Sequence, residues 1–406
     1  MFDKDKLSAS LMANLKWIEQ SGVLAPTNGT WGIAARLVLT ENNQVLEYIK
    51  KSFPAYTEHG DYIIIEHRRP DCNFEAALLF LQVAEMMNDN KYYQIADNIL
   101  CYLFCRSGMY NTRYDKFPKN VWRWANEKWV PKIWFDDNSW NCVISLLIAE
   151  RYPELGKKYG MKNKALLLAN QLLKSFNMQF EHEPDDSWQW EGALKFPHWG
   201  SMVAMALSYA YRETGDEEYR EVVVRYHQYL MADKINFSAS DQAYAVIGAT
   251  AAATILKDDD IEQCARKYAD SLLKKMDKLT GAIPSEHAKE APVGSHLVDM
   301  IYTQNWTIVG LQMIHYLTGE EKYLQGLNKS LNLIIDIQDK SPQKYLNGCW
   351  RGMYDLQERN WGGGNLYEGG ANSIYTGWTN IPISLIIVFI LTEKSLLPGK
   401  AAAVSK

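Results

Sequence analysis

Cysteine is scarce in this chain, and its spacing carries no chemistry. Six cysteines, Cys72, Cys101, Cys105, Cys142, Cys264 and Cys349, are spread over 406 residues, and no CxxC occurs. So few in so long a chain argue against a disulfide framework. Cys101 and Cys105 lie one helical turn apart, but no further ligands follow at metal spacing. They read as small core residues, and no metal site is expected. Long apolar runs are missing too. None reaches the ~18 residues that a spanning helix needs, and the strongest candidate, Ile381 to Leu391, is shorter. Residues 1–10 lack the basic-then-apolar pattern of a signal peptide. The expected location is the cytoplasm, or the periplasm if a signal has been removed. Charge of one sign never accumulates. There are 43 basic and 48 acidic residues, a net charge of −5 and no basic block, which argues against a nucleic-acid partner. Phosphate loops, dinucleotide fingerprints and Gly-x-Ser-x-Gly elbows are absent, so no cofactor is expected. None of this bears on oligomeric state.

What is present is a hydrophobic fraction of 47%, enough for a large core, arranged as recurring helical hairpins. Phe74, Ala77, Leu78, Leu81 and Ala84 form a helical stripe; Asn88-Asp89 breaks it; Tyr92, Ala96 and Leu100 resume it. The same unit recurs around Thr214-Gly215-Asp216 and Thr318-Gly319-Glu320, with looser copies near Gly160 and Asp258-Asp259. Strand signals are few. Tyr62 to Ile65 reads as one short strand, and nothing alternates long enough to predict a sheet. Short turns alternate with long, aromatic-rich connectors. If the hairpins pack side by side in a ring, the long connectors share one face, and the site belongs there.

Aromatic usage supports that placement. Eleven of the fourteen tryptophans fall in three polar connectors, Trp122 to Trp140, Trp188 to Trp199 and Trp350 to Trp378. An indole offers a rigid apolar face and one N–H donor, which suits the C–H surface of a sugar ring. Within the first connector, Trp134-Phe135-Asp136-Asp137-Asn138-Ser139-Trp140 leads into an amphipathic stripe, so two adjacent carboxylates fall at a helix start. There the helix dipole favours ionised carboxylates, while crowding drives their pKa values apart. That split is what glycoside hydrolysis uses. The plainer reading is that one Asp is an N-cap. The second connector contributes Trp188, Trp190, Glu191, His198 and Trp199. The third contributes Tyr375 and Trp378, together with Gly362-Gly363-Gly364, which suits a tight turn or a close backbone approach. Glu286 lies in a fourth. Arg68, Arg69, Arg113, Arg123, Lys195, Arg351 and Arg359 also lie in connectors, and an arginine fork suits a carboxylate, so an acidic sugar is a candidate.

On these residues the chain resembles the six-hairpin glycosidases. Asp136-Asp137-Asn138-Ser139-Trp140 resembles the Asp-Asp motif of endo-α-mannanases, in which the two Asp are nucleophile and acid/base. The same segment resembles the catalytic-Asp helix start of unsaturated glucuronyl and rhamnogalacturonyl hydrolases. His198-Trp199-Gly200, with Thr214-Gly215-Asp216 behind it, is similar to their fifth-helix region, although Trp199-Gly200-Ser201 stands where they carry an Arg-Gly pair. Residues 368–380 resemble C-terminal helices of Bacteroides-type carbohydrate enzymes, some of them glucuronidases. The resemblance implies an all-α (α/α)6 toroid over residues 1–399, with 400–406 a loose tail.

The expected function is hydrolysis of an oligo- or polysaccharide, with uronic-acid-containing glycans among the candidates. Asp136 and Asp137 are the expected catalytic pair. Arg69, Trp134, Trp140, Trp188, Trp190, Glu191, His198, Trp199, Glu286, Tyr375 and Trp378 are the expected substrate contacts. The rivals are a polysaccharide lyase or sugar epimerase on the same scaffold, and a carbohydrate-binding protein without turnover.

Overall fold

The computed structural model describes residues 2–113, 117–127, 132–182, 190–232, 236–286, 296–364 and 368–399. Trp188 and the expected tail at 400–406 lie outside the described residues.

Six helices form a closed inner ring: α3 (Pro70–Met87), α5 (Phe135–Arg151), α8 (Pro197–Thr214), α10 (Ala239–Leu256), α12 (Gln304–Thr318) and α14 (Ile381–Thr392), each packed on the next and α14 on α3. They are buried almost all round, as in Ile381 to Ile390, where every residue is buried. Such helices need apolar or small residues on every side. An outer helix backs each one: α4 (Asn90–Cys101), α7 (Met161–Gln179), α9 (Glu217–Met231), α11 (Asp259–Lys275), α13 (Glu321–Asp336) and, behind α14, α1 (Lys4–Gln20). The outer helices bury only a stripe. In α11 this is Ile261, Cys264, Ala265, Tyr268, Ala269 and Leu272, the i, i+3, i+4, i+7 period of an amphipathic helix. Of two shorter helices, α6 (Pro153–Tyr159) packs against α5 and α7, while α2 (Asn43–Ser52) packs Val45, Leu46 and Ile49 on Val38, Ile63 and Ile65. The architecture is an (α/α)6 toroid, as the hairpin pattern and the resemblance imply.

The short turns fall where the sequence marks them. Asn88 ends α3 in the left-handed region, and the Asp89 side chain accepts from Lys91 N to start α4. Gly215 and Gly319 take φ of 70° and 68° between α8 and α9 and between α12 and α13. Asp216 and Asp258 cap α9 and α11.

A sheet is present after all. β1 (Arg36–Leu39), β2 (Tyr56–Glu58), β3 (Tyr62–Ile65) and β9 (Ser373–Tyr375) form an antiparallel sheet in the order β2-β3-β1-β9. The expected strand at Tyr62 to Ile65 is β3. Its partner β1 also pairs with β9, Arg36 opposite Tyr375, a register more than 300 residues apart in sequence. No local alternation announces such a pairing. β4 (Ile133–Trp134) and β5 (Trp190–Glu191) pair in parallel, tying two connectors together. β6 (Leu297–Asp299), β7 (Met353–Asp355) and β8 (Asn360–Trp361) tie two more. The triple glycine follows β8. A Cβ at Gly364 would lie 2.3 Å from Gly370 Cα, so the close approach it permits is to backbone. No described helix is long and apolar enough to cross a membrane.

Candidate active site

A cavity of about 260 Å³ opens where the inner helices begin. It draws residues from the first turns of α5 and α8, the segments preceding α3, α12 and α14, and the sheet strands β1, β3 and β9. Helix N-termini therefore converge on it, and their unpaired N–H groups favour negative charge nearby.

Asp136 and Asp137 lie at its base, 3% and 2% exposed. Neither is an N-cap. Trp134 holds that position without a side-chain cap bond, and both carboxylates fall in the first turn of α5. Asn138, next in line, fixes that turn: its side chain accepts from Trp122 N (2.8 Å) and donates to Trp122 O and Trp134 O (3.0 Å each).

The two carboxylates have different partners. Arg69 Nη2 donates to Asp137 Oδ1 and to Asp71 Oδ2, both at 2.7 Å, and Arg69 Nε reaches Asp71 Oδ1 at 3.2 Å. Trp378 Nε1 donates to Asp71 Oδ2 (2.9 Å), and the guanidinium lies over the Trp378 ring at 5.2 Å. Burial pushes the Asp137 carboxyl well above the usual range; Arg69 pulls it down, and Asp71 and Asp136 push it up again. Asp136 Oδ2 instead meets His198 Nε2 at 3.1 Å. The His198 ring is sandwiched between Trp199 (5.0 Å, 18°) and Tyr244 (4.4 Å, 12°). Asp136 Oδ1 and Asp137 Oδ2 are buried without a protein partner.

Across the cavity, Glu368 accepts from Tyr302 Oη (2.7 Å) and Tyr375 Oη, and Arg36 Nη1 donates to Tyr375 Oη (2.5 Å). Burial raises the Tyr375 hydroxyl well above its ordinary value, keeping it a neutral donor. His67 completes a second histidine–carboxylate pair, its Nδ1 2.8 Å from Glu127 Oε2.

Of the residues singled out from the sequence, the cavity gathers Arg69, Trp134, Asp136, Asp137, His198, Trp199, Tyr375 and Trp378. Four others lie outside its lining. Trp140 lies one turn below Asp136 and packs on Trp306 (5.5 Å) in the core. Trp190 stacks on Phe135 (4.8 Å, 3°) as the anchor of the β4–β5 pair. Glu191 points to Lys132 at 3.6 Å. Glu286 accepts from Ala239 N (2.8 Å) at the start of α10 and pairs with Lys275 (2.7 Å). Of the basic connector residues, Arg69 alone lines the cavity, and it is bound to two carboxylates. Arg351 is paired with Asp339 and Arg68 with Glu66, so the charge argument for an acidic sugar loses its basis in those side chains.

The sequence reading missed Arg36, Phe53, His67, Trp124, Tyr302 and Glu368 as cavity residues. Arg36 carried a signal, a charge inside the apolar run Ile33 to Leu39. Among the described residues no cluster of three or more His, Cys, Asp or Glu side chains could hold a metal ion.

No known family profile matches the chain, and no curated protein sequence matches it. Solved structures do. Cellobiose 2-epimerase from Spirochaeta thermophila superposes with a TM-score of 0.63 at 13% identity, over 96% of this chain and 97% of that one. A family-76 α-mannanase from Bacteroides thetaiotaomicron gives 0.55 at 11% identity, over 85% and 93%. Unsaturated glucuronyl hydrolase from a Bacillus species gives 0.55 at 14% identity, over 86% and 94%. The chain shares the (α/α)6 toroid fold of these three structures.

Proposed function

We propose that residues 1–399 act as one catalytic unit, a glycoside hydrolase with Asp136 and Asp137 as its working carboxylates. One observation carries this reading. Two buried carboxylates sit side by side on the cavity, each with one oxygen unpartnered, in environments that separate their roles. Asp137, raised by burial and crowded by Asp71 and Asp136, keeps its proton and acts as the general acid toward the leaving oxygen. Asp136, hydrogen-bonded to His198, is the nucleophile or base. Trp134, Trp199 and Trp378 wall the sugar, and Tyr302, Tyr375 and Glu368 bind hydroxyls. Fold neighbours that cleave glycosidic bonds, an α-mannanase and a glucuronyl hydrolase, support the class.

The cavity is small beside the roughly 300–1,000 Å³ of small-molecule sites. It suits one or two sugar units at a chain end better than the middle of a polymer. The test is a screen of 4-nitrophenyl glycosides of glucose, mannose, galactose and glucuronic acid, with matching disaccharides analysed by chromatography. Release of monosaccharide that disappears in Asp136→Asn and Asp137→Asn is the expected result. Turnover that survives both substitutions would remove the assignment.

A second reading has its own observation. Two histidines, each held by a carboxylate (His198 by Asp136, His67 by Glu127), line one cavity, and an epimerase needs paired proton-transfer groups. A cellobiose 2-epimerase shares the fold. Deuterium uptake from D₂O at the carbon beside a sugar carbonyl, with no bond cleavage, would favour it.

A further inference from the structure

The wall away from Asp136 and Asp137 is built by the sheet and by the residue that follows α2. Arg36 comes from β1, Ile65 from β3, Phe53 from the end of α2, and His67 and Trp124 from the neighbouring connectors. Arg69 divides this part from the catalytic part, its guanidinium lying over Trp124 at 5.7 Å and Trp378 at 5.2 Å. The compartment is mainly apolar and aromatic, with His67 in its lining.

His67 is held tightly. Its carbonyl accepts from Ala35 N (2.9 Å). Its ring sits edge-on to Phe53 (5.0 Å, 69°) and Trp124 (4.7 Å, 73°). Nδ1 meets Glu127 Oε2 at 2.8 Å, and the residue is 2% exposed. Nε2 is buried and has no protein partner. A carboxylate at Nδ1 fixes the tautomer with the proton on Nδ1. Nε2 is then a bare lone pair, an acceptor only. We propose that this compartment is a second sugar subsite in which His67 Nε2 accepts a hydrogen bond from one hydroxyl of the unit next to the one held over Asp136 and Asp137.

This inference rests on the carbohydrate reading above and extends it to the residue that discriminates among sugars. The charge surroundings agree. Burial, and the cations Arg69 and Arg36, lower the His67 pKa against the upward pull of Glu127, so the ring stays neutral at pH 7. A hydroxyl that donates to Nε2 satisfies a buried acceptor; a deoxy or methoxy substituent leaves it unmet, and such sites discriminate strongly.

The test has two readouts on the full chain. Long-range ¹H–¹⁵N spectra at pH 7, with the His67 signals assigned by their loss in His67→Gln, should show Nδ1 protonated and Nε2 bare. Adding methyl β-D-glucopyranoside, methyl α-D-mannopyranoside or cellobiose should move the Nε2 resonance for each sugar that binds at this subsite. Kinetically, wild type should prefer the parent disaccharide over one of its single-deoxy congeners by about tenfold in kcat/KM. His67→Phe should erase that preference. His67→Gln should restore part of it, because a glutamine amide can donate to Glu127 while its oxygen accepts from the hydroxyl. An Nε2–H tautomer overturns the proposal. So does an Nε2 signal unmoved by sugars that bind and are turned over, with the hydrolase reading intact. A protein that binds none of the sugars overturns both.

Discussion

Asp137→Asn separates chemistry from architecture at the point where they are most tightly joined. Asp137 is one of two carboxylates on the buried Arg69 guanidinium, the other being Asp71. Removing one partner of a buried ion pair ordinarily costs about 3–5 kcal/mol, because a charge is left behind. Here Asp71 keeps two bonds to Arg69, and the amide oxygen of the new side chain still accepts from Nη2. Burial already favours the neutral form of Asp137, so an isosteric neutral group suits the site. The expected loss of stability is therefore no more than about 1 kcal/mol, the worth of one hydrogen bond. Activity should fall by about 10²–10⁴-fold, the contribution of a general acid, or about 3–5 kcal/mol of barrier. Arg69→Met is the control, since it strands Asp71 without its two bonds to the guanidinium and should cost the full ~3–5 kcal/mol. Urea unfolding gives the stabilities, and initial rates on the glycoside found by screening give the chemistry. The reasoning fails if Asp137→Asn keeps turnover within threefold of wild type, or if it destabilises as much as Arg69→Met.

Three further outcomes follow from the geometry. Trp199→Ala should raise KM by roughly 3- to 10-fold through loss of an aromatic face, with little change in melting temperature, as steady-state kinetics and calorimetry would show. Glu75 is fully buried with Oε2 unpartnered, and burial raises its pKa well above the ordinary value. A raised carboxyl stabilises the fold below its unfolded pKa of about 4.3, and that contribution is lost as pH rises through the higher folded value. Glu75→Gln should thus gain stability relative to wild type as pH rises above about 4.5, and parallel unfolding profiles would contradict the assignment. Gly200→Ala should destabilise by about 1–3 kcal/mol, because a Cβ there would sit 2.0 Å from Leu194 O and 2.4 Å from Tyr226 Oη. Because Gly200 directly follows His198 and Trp199, the same substitution should lower kcat, and an unchanged melting temperature would contradict the close packing.

The parts of this molecule legible in its sequence are those with local causes. The turn at Gly215-Asp216 is written in a glycine that takes positive φ and an aspartate that caps the next helix. The Asp136-Asp137 pair stood out because a cap needs one acid and two were present beside tryptophans. What escaped is non-local. β1 pairs with β9 across the whole ring, so nothing near Arg36 announced that it would face Tyr375. Trp140 misled for a geometric reason. Four residues after Asp136 it shares the same helix face, but that face continues downward into the ring, where Trp306 receives it. His67 gave no signal at all, since its role depends on Glu127, which arrives from another connector 60 residues on.

The ring closes by joining its earliest helix to its latest. Asn14 on α1 donates to Asn380 Oδ1 and accepts from Ser384 Oγ of α14, contacts 366 and 370 residues apart in sequence. On a ribosome, α1 emerges hundreds of residues before the helix that covers its apolar stripe. Until then the growing chain is an open arc with two uncovered ends, exposed to wrong pairing and to chaperones. Each hairpin can form as it is made, yet the cavity gathers side chains from both ends of that arc, Arg36 from one and Trp378 from the other. The site therefore comes into being only after Trp378, hundreds of residues beyond Arg36, has been made. A permuted chain that joins α14 directly to α1 and opens the circle at an outer turn would make the seam first, and its folding yield would measure how much late closure costs.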